Sequence, residues 1–172
     1  MKQLKTILTI CLLVLSTIAM AQTKSYKKVR IGLGLEGALP MGALKTAYNY
    51  GGGVTFRAAV ALNEKSAITG TTGVLAFVPE KITGVNSKAQ LNIPIKAGYK
   101  YMLTEKLYGL GEVGTTIVKS YYPTSTGSLA SVSSNAFTYS VGIGVHVGVD
   151  ASLRYEGYSN GGFLGLRLGF NF

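Results

Sequence analysis

Tryptophan is absent from the 172 residues, and cysteine and histidine each occur once. A single cysteine excludes a disulfide scaffold, and one histidine beside it is too little for a His/Cys metal cluster. Charge is also scarce. Asp, Glu, Lys and Arg make up 14% of the chain, against roughly a quarter in an ordinary soluble domain. Together with 47% hydrophobic residues, this excludes a disordered chain or a coiled coil. Acidic groups are the rarer kind, 7 against 17 basic, which leaves a net charge of +10. Beyond residue 22 no stretch shows the sustained apolar spacing of three and four that an amphipathic helix requires.

What is present begins with an address. Lys2 and Lys5 precede an apolar run over 7–18, and Ala19-Met20-Ala21 forms a small-residue cleavage signal. The run is too short for a membrane span of ~20 residues. The expectation is a cleaved secretory signal peptide over 1–21 and a mature chain from Gln22. Cys11 sits in the middle of the apolar run behind Ile10, which does not suit lipidation, so it leaves with the signal. The mature chain then has no cysteine. Losing Lys2 and Lys5 leaves 15 basic and 7 acidic residues, a net charge of +8. An exported chain of that charge has an anionic lipid surface as its partner rather than nucleic acid.

The remainder reads as strands. Alternation of period two recurs from Val29 to Leu39, Val54 to Leu62, Leu91 to Leu103, Phe137 to Val145, Val149 to Glu156 and Leu164 to Phe172. Two further segments, 66–77 and 107–118, have mixed faces. Asn63-Glu64-Lys65 and Thr104-Glu105-Lys106 are near-copies of one tight connection, and His146-Val147-Gly148 is a third. Three-residue turns keep parity. Leu62 should therefore pair with Ser66, Leu103 with Leu107 and Val145 with Val149. Ile68, Val74, Val113 and Ile117 then fall on the apolar face and Glu112 on the polar one. Eight strands of about 10 to 14 residues follow, a length suited to tilted membrane crossing. Short turns alternate with longer loops at 40–50, 78–89 and 119–135, and a brief one at 159–162. The expected fold is all-β, an eight-stranded antiparallel up-and-down transmembrane β-barrel over 22–172, with its short turns and both chain ends on the periplasmic side.

Which face points outward follows from the polar side. A soluble barrel would stud that side with Lys and Glu. Here Gly, Ala, Thr and Ser dominate it, with ten charges: Arg30, Glu36, Arg57, Lys96, Lys100, Glu112, Asp150, Arg154, Glu156 and Arg167. All four arginines belong to this set, and arginine suits carboxylate pairing away from bulk water. The ten are expected to form an ion-pair network inside the lumen, with Arg154, Glu156 and Arg167 joined between the last two strands. The other face carries Leu, Val and Ile, with Tyr and Phe near strand ends, as lipid and its interfaces demand.

The chain ends in an alternating strand closed by Phe170 and Phe172, which resembles the C-terminal signal read by the barrel-assembly machinery. Arg154-Tyr-Glu-Gly-Tyr-Ser-Asn-Gly-Gly162 resembles the C-terminal hairpin common among the Bacteroidota, and Leu39-Pro-Met-Gly42 resembles the approach to a first outer loop. On these features the mature chain resembles the small outer-membrane β-barrel family, porin-like or opacity-like, of the OmpX and OmpA barrel types. The resemblance implies outer-membrane residence and no single activity.

No catalytic constellation emerges. Lipid A deacylation would need Ser, His and a carboxylate close together. The sole histidine, His146, falls in a turn, where it should be solvated. Gly32/Gly34, Gly51-Gly52-Gly53 and Gly142/Gly144 precede no helix, so none forms a phosphate loop. They should mark curvature and tight lumen packing. No cofactor or metal is expected. Tyr48, Tyr50 and the Ser/Thr/Tyr-rich stretch from Lys119 are candidates for contact with an extracellular ligand. The function expected is that of a structural and surface-interaction protein of the outer membrane. A small channel, which eight strands disfavour, and a lipid A-modifying enzyme are the alternatives.

Overall fold

The computed structural model describes residues 29–80, 89–123, 129–159 and 161–172. The expected signal segment 1–21, Cys11 included, lies outside them. Eight antiparallel strands close in sequence order: β1 (Val29–Met41), β2 (Tyr48–Ala61), β3 (Ser66–Pro79), β4 (Gln90–Met102), β5 (Leu107–Pro123), β6 (Leu129–Val147), β7 (Val149–Tyr158) and β8 (Gly161–Asn171). A short 3₁₀ turn, Gly42–Thr46, joins β1 to β2. Closure comes from β8 against β1, with Leu35 opposite Leu168 and Glu36 opposite Arg167. The amide of Phe172 donates to the Ile31 carbonyl at 2.7 Å, so the last residue is tied to the first strand.

The short connections explain the register. In the β2–β3 turn the Asn63 side chain accepts from the amides of Lys65 and Ser66 at 2.9 and 2.8 Å. In the β4–β5 turn the Thr104 hydroxyl takes the same amides, those of Lys106 and Leu107. Each polar side chain replaces the backbone partners that a tight turn gives up. Leu62 and Leu103 donate to Ser66 and Leu107 as the turn spacing requires. The third connection is tighter than the sequence suggests. Gly148, at φ +85°, is the apex alone, Val147 pairs with Val149, and Val145 faces Ala151 instead of Val149. Only a residue without a Cβ takes that φ cheaply. The slip is two residues in the pairing, so no side chain changes face.

The barrel is inverted relative to a soluble one. Among the described residues, six apolar and eighteen polar or charged residues are buried. Leu33, Leu35, Val54, Ile95, Val113, Val141, Leu166 and Leu168 are exposed on its outer wall. Exposed Tyr99, Tyr101, Phe170 and Phe172 ring the turn end, and Tyr50, Phe137, Tyr139 and Tyr155 ring the other. An apolar band between two aromatic girdles is the surface that a bilayer solvates.

One expected loop is not a loop. Residues 119–123 and 129–135 continue β5 and β6, paired from Lys119 opposite Ser133 up to Pro123 opposite Leu129. The neighbouring strands stop lower: β4 meets β5 no higher than Lys119, and β7 meets β6 no higher than Thr138. The hairpin therefore rises past the barrel rim as a two-stranded ribbon. Its Ser and Thr content reads as loop, but residues that pair in register on strands already nucleated in the barrel extend at little further cost.

Candidate functional site

The lumen is where the polar residues converge, and it is layered. Nine of the ten expected charges lie inside it. Their ion pairs form one unbroken chain. Glu36 meets Arg154 at 2.5 Å, Arg154 meets Glu156 at 3.2 Å, and Glu156 meets Lys96 at 2.6 Å. Lys96 meets Glu112 at 3.1 Å, Glu112 meets Arg57 at 3.7 Å, and Arg57 meets Asp150 at 4.0 Å. Asp150 finally takes Lys100 at 3.5 Å and Arg167 at 3.1 Å. The charges come from β1, β2, β4, β5, β7 and β8. The two remaining strands add hydroxyls. Thr71 of β3 donates to Glu112, and Ser140 of β6 donates to its other oxygen at 3.0 Å. Hydroxyls of this kind use the lone pairs that the cations leave open, which a buried carboxylate needs.

Two placements differ from the sequence expectation. Arg30 has the inward parity but sits exposed at the start of β1, at the mouth of the lumen, and among the described residues no ion pair joins it to a lumen carboxylate. Parity fixes a face, and depth along the strand decides whether that face is covered. Arg167 shares one network with Arg154 and Glu156, but through Asp150, Arg57, Glu112 and Lys96 and not across the last two strands. Its neighbour on β7 is Ser152 and on β1 is Glu36, and its guanidinium reaches Asp150 and, at 3.0 Å, the Thr55 hydroxyl. Arg154 and Glu156 face across the barrel to Glu36 and Lys96 instead.

The layer above the ions was not legible as such. Phe77, Phe163, Leu75 and Ala38 are buried together at the loop end, with Leu44, Tyr48 and Tyr158 packed on them. Phe77 and Phe163 meet edge to face at 5.4 Å, a favourable arrangement for aromatic rings. Tyr48 donates to Gln90, and Gln90 to Asn92 at 2.8 Å, which closes the rim of this layer. The glycines make room for these groups. A Cβ on Gly51 would lie 2.7 Å from the Phe77 ring, and on Gly34 or Gly169 it would lie 2.7 Å from the Arg167 guanidinium. The signal in the sequence was Phe163 on the inward parity of β8, beside Gly165, Arg167 and Gly169.

His146 is a strand residue, half-buried and opposite Asp150, where the sequence suggested a solvated turn. Its strand runs on to Val147 because Gly148 alone makes the turn. Asp150 is engaged by Tyr108 at 2.7 Å and by three cations. Among the described residues no group of three His, Cys, Asp or Glu is arranged to hold a metal. Phe170 and Phe172 both point outward at the turn end, 62% and 72% exposed.

Comparison with known proteins agrees with this geometry. Residues 9–171 match the outer membrane protein beta-barrel domain family. The chain belongs to that family. It resides in the outer membrane, and in such barrels the short turns face the periplasm and the longer connections face outward. The fold is similar to that of Ail, the attachment invasion locus protein of Yersinia pestis, at 16% identity and a TM-score of 0.62 over 84% of this chain and 97% of that one. Ail has also been solved in complex with the heparin analogue sucrose octasulfate. The N-terminal β-barrel domain of Pseudomonas aeruginosa OprF is similar at 15% identity and a TM-score of 0.57, over 83% of this chain and 97% of that one. Neisserial surface protein A is similar at 14% identity and a TM-score of 0.53, over 86% and 98%. No curated protein matches the sequence.

Proposed function

We propose that this barrel is an anchor for a contact surface at its outer end, and that the protein acts in surface interaction without catalysis. The observation that carries the reading is the β5–β6 ribbon. Residues 130–135 are all exposed, and Val132 offers apolar area on a segment rich in serine. Lys45 and Lys119 are exposed at the same end. Serine with scattered large side chains is the chemistry of adaptable binding surfaces. Ail is known with a sulfated saccharide bound, so a sulfated saccharide is the first probe here. In the same reading residues 1–21 are removed on export, and the Phe170/Phe172 end is recognised during assembly.

The test is adhesion of cells displaying the protein to immobilised heparin and to host-type matrix. The comparison chain has 120–132 replaced by Asn-Gly, so that Lys119 and Ser133 flank a two-residue turn. Loss of binding with the barrel still folded supports the reading. Equal binding by the two chains, or by cells lacking the protein, overturns it.

A further inference from the structure

The periplasmic mouth of the lumen has a chemistry that the surface role does not use. Ala59 and Ala61 of β2 and Ala67 of β3 wall a pocket of about 100 Å³ there, and Arg30, Lys65 and Lys100 border it. Glu64 is the one carboxylate on that border. Just inside, a single carboxylate, Asp150, serves Lys100, Arg57 and Arg167. Arg57 also reaches Glu112, yet its Nη1 and Nη2 and the Nη2 of Arg167 find no hydrogen-bond acceptor, although both side chains are buried.

The charge is therefore unevenly spread. Arg30, Arg57, Lys100 and Arg167 against Asp150 leave +3 in the periplasmic half of the lumen. Lys96 and Arg154 against Glu36, Glu112 and Glu156 leave −1 in the half above. Both Arg30 and Arg57 repel the Lys100 ammonium. The Tyr108 ring, 3.6 Å beneath that ammonium, offsets part of this. Surplus cations in a poorly hydrated channel are costly until an anion joins them.

We propose that this mouth binds a small tetrahedral oxyanion, a phosphate or a phosphomonoester, between Arg30 and Lys100. The guanidinium fork of Arg30 favours a multidentate oxyanion over chloride. The alanine walls leave space for such a group. The phosphate comes either free from the periplasm or on a lipid headgroup of the inner leaflet.

The experiment follows backbone amide resonances of Ala59, Ala61 and Ala67 in nanodiscs of zwitterionic lipid. Inorganic phosphate is titrated at ionic strength held constant with sodium chloride. A saturable shift is expected at these three positions. Arg30→Gln, at an exposed site, should weaken it about tenfold, as loss of a charge-assisted hydrogen bond implies. Ala61→Leu should abolish it by filling the pocket, and Lys119→Gln at the far end should leave it unchanged. A second arm uses nanodiscs containing phosphatidic acid, whose headgroup is a phosphomonoester. Resonances already shifted there and indifferent to added phosphate identify the headgroup as the source. Unshifted resonances that still respond identify the free anion. Shifts that do not saturate, or a midpoint that Arg30→Gln leaves in place, overturn the proposal.

Discussion

At the residue scale the lumen carboxylates are not equivalent, because they differ in what they leave behind. Removing Glu156 leaves Lys96 with Glu112 and Arg154 with Glu36. Removing Asp150 leaves Lys100 and Arg167 with no other carboxylate partner among the described residues. Breaking a buried pair costs ~3–5 kcal/mol when one charge is stranded. Asp150→Ala should therefore lie at or above the top of that range and Glu156→Ala toward the bottom. Lys119→Ala, on an exposed side chain, should cost less than ~0.5 kcal/mol. Urea unfolding in lipid ranks the three, and equal midpoints for Glu156→Ala and Lys119→Ala would refute the network. Glycines offer a second contrast. Gly51→Ala must displace the Phe77 ring, an overpacking of ~1–3 kcal/mol. Gly70→Ala meets nothing within 4 Å and should be near neutral in the same assay. Parity alone sends these charges inward, because a strand has only two faces. Which carboxylate Arg167 reaches was not legible, because that depends on distances across the barrel between strands far apart in sequence.

At the element scale two of the three short turns were legible, and the extent of the β5–β6 hairpin was not. Asn63 and Thr104 announce their turns through one side-chain oxygen each, a purely local interaction. The ribbon is not local. Residues 119–123 and 129–135 carry the Ser and Thr of a loop, and they become strand because β5 and β6 beneath them fix the register from Leu107 opposite Val145 upward. An isolated two-stranded hairpin is marginal in water, so the ribbon borrows its order from the barrel and returns little. Replacing 120–132 with Asn-Gly should accordingly leave the unfolding midpoint within ~0.5 kcal/mol of the parent in lipid, while the surface contact disappears. A large loss of stability would mean that the ribbon is part of the barrel's own packing and not a projection from it.

At the scale of the whole molecule the inward polar face, together with the apolar outer wall, identifies a membrane barrel in the sequence, and eight strands set its width. Such a barrel is about as wide as its own side chains can fill. Here the filling is double. The ion-pair chain from Glu36 to Arg167 crosses the middle and periplasmic part, and Phe77, Phe163, Leu75 and Ala38 close the outer part. Only the ionic layer was readable from charge and parity. The aromatic layer hid in strands whose two faces both carry apolar residues, as β3 does with Val74 outward and Leu75 inward. Two stacked layers predict how permeation responds to mutation. The parent should show no steps of general-porin size in planar bilayers. Arg154→Ala with Glu156→Ala should stay closed as well, because the aromatic layer still excludes water above the gap. Phe77→Ala with Phe163→Ala should also stay closed, held by the ions below. The fourfold variant opens both layers at once, leaving only the periplasmic group of Arg57, Lys100, Asp150 and Arg167 across the lumen, and it alone should conduct above the parent. Large stable steps from the parent, or from either double variant alone, would show that one of these layers does not seal the barrel.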